Sequence, residues 1–170
     1  QTCTSIAFDR QGNLYFADSY MSAVRRIGTN GIITTVAGGR TNEWGEGLCG
    51  YSGDGGPATN AVFNTPKGLA FDDKGNLYIA DTDNHKIRRV GTNGIVTTFA
   101  GKTVYDSWGD IKPGYAGDGG QATNAQFNCP IGIAFDLQGN LYVADGDNHL
   151  IRRIATNGVV TRFAGKYLLD

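Results

Sequence analysis

The sequence predicts an all-β fold, a β-propeller segment of three four-stranded antiparallel blades, and three observations carry that expectation. The motif Gly-Asn-Leu-Tyr-x-Ala-Asp occurs at residues 12–18, 75–81 and 139–145, at intervals of 63 and 64 residues. Residues 50–101 match residues 114–165 at 37 of 52 positions, so the chain is one structural unit written three times. Each unit breaks into four short runs of β-branched and aromatic residues separated by Gly, Asn and Asp, the pattern of strands joined by tight turns. A unit of this length cannot bury its own apolar face, so neighbouring copies must stack. Four antiparallel strands repeated at a fixed interval indicate a propeller.

The second unit shows the elements in order. Residues 68–71 (Gly-Leu-Ala-Phe) read as the first strand, followed by turn chemistry at 72–76. Residues 77–80 form the second strand, and Asp81-Thr82-Asp83-Asn84 supplies the next turn. Residues 85–90 make the third strand, Thr92-Asn93-Gly94 predicts a type I′ hairpin, and residues 95–99 complete the blade. The best helical candidates are single turns at 57–61 and 121–125. Blade 1 therefore covers about 4–38, blade 2 about 67–101 and blade 3 about 131–165, with long connections at 39–66 and 102–130, all within one segment of residues 1–170. The first unit has lost the stretch corresponding to Asp83-Asn84-His85.

The runs Asp83-Asn84-His85-Lys86-Ile87 and Asp147-Asn148-His149-Leu150-Ile151 resemble the signature of NHL repeats. The Gly-Leu/Ile-Ala-Phe-Asp and Gly-Asn-Leu-Tyr-x-Ala-Asp segments fit the same family. The connections at 53–59 and 117–123, Gly-Asp-Gly-Gly-x-Ala-Thr, are similar to those of long-linker NHL arrays in bacterial and some microbial eukaryotic surface proteins. This resemblance implies a propeller fold and an extracellular or cell-surface setting. For activity it implies little, because propellers host unrelated functions.

Closed propellers use about 4–8 blades, and this chain supplies three. Two blade faces should be left apolar and open, and open apolar faces mark interfaces. The expectation is half of a six-bladed ring, the size the NHL resemblance favours, or part of a longer array. A head-to-tail contact that does not close gives a filament. Self-association, or further blades of the same protein, is the first expected partnership.

Composition narrows the remaining classes. Apolar residues make up 40% of the chain, and no run approaches the ~20 residues needed to span a bilayer, so no membrane insertion is expected. The chain begins at Gln1 rather than Met, which reads as a processed or excerpted sequence. Cys3, Cys49 and Cys129 do not occupy equivalent positions, leaving one disulfide with a spare thiol, or three buried thiols, both open. The net charge of −1 argues against nucleic acid, although Arg25-Arg26, Arg88-Arg89 and Arg152-Arg153 recur on the third strands. Successive strand residues point to opposite sides, so each pair cannot serve one ligand. Pairing with Asp18, Asp81 and Asp145 is the expected role, with Arg89 and Arg153 taken as the structural members.

In an up-and-down blade the second-to-third turn and the connections fall on one rim, and function concentrates on long loops held by a rigid scaffold. That rim carries Asp83, His85, Asp147 and His149 together with the repeat-locked Trp44, Glu46 and Tyr51 and their counterparts Trp108, Asp110 and Tyr115. A Trp-Gly-acid unit suits a sugar or protein ligand, while an indole folded back as a plug over its blade is the competing expectation. The Asp-x-Asp-Asn-His turns lack the Gly and distal Glu of a calcium loop, so no metal or other cofactor is expected, and His85 and His149 should make structural hydrogen bonds. No nucleophile elbow, phosphate loop or zinc-protease motif is present. The expected function is a non-catalytic binding or assembly scaffold. The alternatives are a carbohydrate-binding surface on the Trp-bearing rim, or part of a propeller hydrolase or lyase whose site lies in further blades.

Overall fold

The computed structural model of the protein describes residues 3–166 as three separate four-stranded antiparallel sheets, each meandering in chain order. Blade 1 comprises β1 (Cys3–Phe8), β2 (Leu14–Asp18), β3 (Ala23–Ile27) and β4 (Ile33–Gly38). Blade 2 comprises β5 (Pro66–Phe71), β6 (Leu77–Asp81), β7 (Lys86–Val90) and β8 (Val96–Ala100). Blade 3 comprises β9 (Pro130–Phe135), β10 (Leu141–Asp145), β11 (Leu150–Ile154) and β12 (Val160–Gly165). The three-blade expectation holds, with first strands that start earlier than the apolar run because Pro66 pairs with Asp81 across a bulge.

Turn chemistry fixes each register. Asp72 Oδ1 accepts from the backbone N–H groups of Lys74 (2.9 Å) and Asn76 (2.8 Å), closing the first hairpin with Gly75 at φ +83°. Asp9 and Asp136 do the same in the other blades. The third-to-fourth hairpin differs from the expected type I′ form. Only Gly94 has positive φ, its N–H donates to Gly91 O (2.8 Å), and Gly91 N–H donates to Ile95 O (2.9 Å). This is a type I turn closed by a left-handed Gly, and the extra residue is absorbed as a bulge.

Strand alternation gives each blade two faces. Tyr15, Ala17, Val24 and Ala37 of blade 1 pack against Leu69, Leu77, Ile79, Val90 and Val96 of blade 2. The opposite face of blade 2, Tyr78, Ala80, Ile87 and Ala100, packs against Leu141, Val143, Ile154 and Val160 of blade 3. Tyr78 meets Phe99 and Phe135 edge-on at ring separations of 4.9 Å each. The first strands lie closest to one another, and a Cβ added at Gly68 would sit 2.8 Å from Ile131 O. Glycine there permits a backbone approach no side chain would allow.

Each complete connection wedges into this stack. Gly55 N–H donates to Val96 O (2.8 Å), Val96 N–H to Gly56 O (3.0 Å) and Ala58 N–H to Gly94 O (2.8 Å). The chain then makes a single helical turn at Ala58–Asn60 and buries Ala58, Ala61 and Phe63 in the core between blades 1 and 2. Gly119, Gly120 and Ala122 repeat the pattern on Val160 and Gly158. The connections thus pair the outer edges of β8 and β12, edges that would otherwise present unpaired backbone groups.

Candidate functional site

The rim is anchored by one carboxylate per blade, fully buried in blades 2 and 3. Asp81 closes β6 with no exposure and accepts from Asn64 N–H (2.8 Å), Asn84 Nδ2 (2.9 Å) and Arg88 Nη1 (3.2 Å). Asp145 repeats this with Asn128, Asn148 and Arg152. Burial raises both carboxyls above the ordinary value, Asp81 to about 6, against the opposing pull of their donors. In blade 1, Asp18 is half-buried and pairs with Arg25 Nε (2.9 Å).

The arginine assignment needs correction. Arg88 and Arg152 bind the buried aspartates, not Arg89 and Arg153. Ile79 faces Arg88 across the ladder and Tyr78 faces Arg89, so Arg88 shares a face with Asp81 while Arg89 lies on the other. Arg153 instead donates to Asn140 Oδ1 (3.0 Å), and Arg26 to Asn13 Oδ1 (3.3 Å).

Tyr51 and Tyr115 hold the connections rather than standing free. Tyr51 OH bonds Asp54 Oδ2 (3.0 Å) and Thr98 Oγ1 (2.8 Å), and the Arg88 guanidinium sits 4.7 Å from its ring centre. Asp54 itself bonds Arg88 Nη2 (2.6 Å) and Thr98 N–H (3.0 Å). Arg152 stacks on Tyr115 at 5.0 Å and pairs with Asp118 (2.7 Å). The sequence reading missed Asp54 and Asp118 as partners. Their signal was the Gly-Asp-Gly-Gly motif itself, which recurs in both connections.

His85 adopts a left-handed conformation (φ +54°), and its Nδ1 accepts the backbone N–H of Cys129, the residue just before β9, at 3.1 Å, a bond from blade 2 to the entrance of blade 3. Burial holds the imidazole below its ordinary pKa, opposed by Asp83 and Asp147. His149 has the same left-handed backbone but is exposed, and no such bond is formed to it among the described residues. Asp83 and Asp147 are exposed on the same turns. The three cysteines are free, with Cys3 and Cys49 exposed, so neither a disulfide nor a set of buried thiols forms. Burial and a hydrogen bond to Asp147 push the Cys129 thiol up to about 12.

The tryptophans are displayed, not folded back. Trp44 is 76% and Trp108 88% exposed. Each sits in a five-residue turn built like the first hairpin of a blade. Asn42 Oδ1 accepts from Trp44 N–H (3.0 Å) and Glu46 N–H (2.9 Å), and Asp106 Oδ1 accepts from Trp108 N–H (2.8 Å) and Asp110 N–H (3.0 Å). Gly45 and Gly109 supply the positive φ. Glu46 is tied to Asn42 Nδ2 (3.0 Å), while Asp110 is exposed. The first turn seats on blade 1 where a Cβ at Gly47 would meet Met21 at 2.6 Å. The second borders a cleft of about 520 Å³ lined by Asp83, His85, Tyr105 and Asp110. The tryptophan turns therefore share a rim with the second-to-third turns. Among the described residues no group of three or more His, Cys, Asp or Glu could hold a metal ion.

Comparison with known proteins agrees with this architecture. The model of the teneurin NHL domain matches residues 45–114 and 110–169. Mouse Teneurin-1 is 35% identical over 106 residues, covering 59% of this chain and 4% of that protein. Cattle NHL repeat-containing protein 2 is 34% identical over 145 residues, covering 82% of this chain and 18% of that protein. The chain thus spans less than a fifth of either relative. Among solved structures, a Bacteroides thetaiotaomicron protein of unknown function superposes with a TM-score of 0.65 at 26% identity, covering 84% of this chain and 32% of that one. A Staphylococcus aureus virginiamycin B lyase superposes at 0.57 and 17% identity, covering 95% and 40%, a likeness of fold alone. With both Asp-Asn-His turns, three meandering blades and a family match over most of its length, the chain belongs to the NHL-repeat family of β-propellers.

Proposed function

We propose that the chain is a non-catalytic assembly and binding scaffold that completes a ring or filament through blade-to-blade contacts. The carrying observation is the pair of blade faces left open. Ile6, Phe8 and Ile33 of blade 1 occupy the positions that Leu69, Phe71 and Val96 fill in the core between blades 1 and 2. Phe163 of blade 3 occupies the position of Phe99, which packs between blades 2 and 3. Phe8 and Phe163 are 63% and 61% exposed. One end of the chain therefore carries the surface that its other end is built to receive, the condition for a heterologous head-to-tail contact. His149 stands at the same edge, in the place from which His85 bonds the next blade. The occupation of His85 by a backbone bond supports a structural rather than catalytic role for this signature position. The resemblance of the connections to those of surface arrays supports an extracellular or cell-surface setting. The mass in solution tests the assembly: a species of two or more chains is expected, and a folded monomer at all concentrations would sink it.

A second reading has its own observation. Two exposed indoles on rigid, capped turns, one beside the Asp83–His85 cleft, suit a protein or glycan ligand, since exposed aromatics supply much of the energy of such recognition. A glycan array, with Trp108→Ala as control, separates the carbohydrate ligand from a protein one.

A further inference from the structure

The two tryptophan turns share a plan but not a seat. In each, the arms are bridged below the indole, Thr41 to Gly47 and Tyr105 to Ile111. Gly47 lies against the second-to-third turn of blade 1, where a Cβ would come within 2.6 Å of the Met21 backbone. Ile111 holds the equivalent position after Trp108, and its branched side chain bars so close an approach. The turn it faces has Asn84 where blade 1 has Met21, and that amide is drawn inward to Gly50 O (2.7 Å) and Asp81 Oδ2 (2.9 Å). The space between is the cleft of about 520 Å³, walled by Asp83 and His85 of blade 2, Tyr51 of the first connection, and Tyr105, Asp110 and Ile111 of the second. All of its walls come from blade 2 and the two complete connections, so it stands whether or not the open blade faces stack.

The cleft is charged in one sense. In the first turn Asn42 Nδ2 donates to Glu46 Oε2 (3.0 Å), but in the second Asp106 stands in the place of Asn42 and has no N–H to give Asp110. Among the described residues neither the Asp83 nor the Asp110 carboxylate forms a hydrogen bond or ion pair. No Lys or Arg lines the cleft, and the Tyr105 beside these acids is 62% exposed. We propose that the cleft receives an arginine side chain of a protein partner, its guanidinium shared between Asp83 and Asp110 and stacked on Tyr105. The proposal rests on the recognition role of the tryptophan rim and gives that rim a ligand chemistry. A planar guanidinium presents a fork of N–H donors that can serve both carboxylates while its face lies on an aromatic ring, which a compact ammonium cannot do as well. A polypeptide is the favoured source because Trp108, 88% exposed, is not part of the cleft lining. A small amine filling the cleft leaves that indole bare, whereas the chain carrying an arginine can cover it, and Trp, Tyr and Arg are the usual anchors of protein interfaces.

The test is an NMR titration of the isotope-labelled chain with the end-blocked peptide Gly-Gly-Arg-Gly-Gly. Saturable shifts are expected at the amides of Asp83, His85, Tyr105 and Asp110 and at the Trp108 indole N–H, with half-saturation near ~1 mM. The same peptide with citrulline, which keeps the shape and loses the charge, should bind about tenfold more weakly. Asp83→Asn with Asp110→Asn in the protein should abolish that difference, and unchanged signals from blades 1 and 3 control for folding. Agmatine, the side chain without a backbone, should move the cleft amides but not the indole, and should bind more weakly than the peptide. The proposal is overturned if no shifts appear at ~10 mM peptide, about ten times the half-saturation expected of such a contact. It is equally overturned if the citrulline peptide or agmatine binds as well as the parent, or if the double variant still discriminates. Should a glycan move the cleft amides where the arginine peptide does not, the arginine site falls and the recognition rim stands. Should neither move them or the Trp108 indole, both fall.

Discussion

Asp81 Oδ2 and Arg88 Nη1 lie 3.2 Å apart with neither side chain exposed, and Asp54, from the connection, closes on the other side of the same guanidinium at 2.6 Å. One arginine thus joins a blade strand to the loop that precedes the blade. Buried charges of this kind are costly to orphan, because the remaining partner keeps its desolvation penalty.

Removing one member should therefore hurt more than removing both. Asp81→Ala is expected to destabilise the protein by about 3–5 kcal/mol, read as a lower urea midpoint. Asp18→Ala, whose pair with Arg25 is partly exposed, should cost about 1 kcal/mol or less. The double change Asp81→Leu with Arg88→Met should recover much of the loss. Equal costs at Asp18 and Asp81 would contradict the buried-anchor role.

The aspartates should titrate in two groups. Burial raises Asp81, to about 6, and raises Asp145. For Asp9 and Asp72 burial acts upward too, but the hydrogen bonds from Asn13 and Asn76 outweigh it and hold them low, while the bond from Asn140 holds Asp136 low. A raised native value means the folded chain binds its proton more tightly than the unfolded one. The proton-linked part of the Asp81 contribution to stability is therefore complete below its unfolded value near 4 and is lost as pH rises through about 6, while its bonds to Arg88, Asn84 and Asn64 remain. Asp9, Asp72 and Asp136 act oppositely, stabilising above their unfolded value and losing that as pH falls. Carboxyl-carbon NMR resolves the two groups, and a low titration for Asp81 would remove the first.

If blade faces drive assembly, Phe8→Asp should shift the chain toward monomer while leaving the internal blade contacts intact. Phe163→Asp should do the same from the other end. The contact should bury more than the ~800 Å² typical of lattice contacts. Sedimentation of both variants checks this, and unchanged mass in both would point to another surface.

The indoles should be quenched by a soluble quencher in the free protein. Trp108→Ala should change stability by no more than about 0.5 kcal/mol, as for other exposed residues, yet reduce binding of any rim ligand. A large loss of stability would restore the plug that the exposed indoles argue against.

The inter-blade bond from Cys129 N–H to His85 should contribute about 1 kcal/mol. His85→Ala is expected to lower the unfolding free energy by that amount, read from the urea midpoint, and His149→Ala to leave it unchanged in the dissociated chain. Equal effects would show that the two histidines do the same work.

The sequence by itself determined the repeat, the three blades and the order of strands and turns, because alternation along a strand and Asp-x-x-Gly-Asn turn chemistry are local properties. It also gave Asp81 and Asp145 third-strand arginines as partners and put both tryptophans in the connections. Only the tertiary structure decided which arginine of each pair meets its aspartate. That choice depends on the parity set by the turn between β6 and β7: Asp81 pairs with Lys86, so Arg88 shares the Asp81 face and Arg89 does not. Taking the third strand to begin at His85 left that parity open, and His85 proved to be the left-handed residue that ends the turn. The roles of Asp54, Tyr51 and their counterparts were likewise settled only in three dimensions. They meet residues 34 to 47 positions away, where the path of a connection along a blade edge, not any local pattern, sets which groups come within bonding distance.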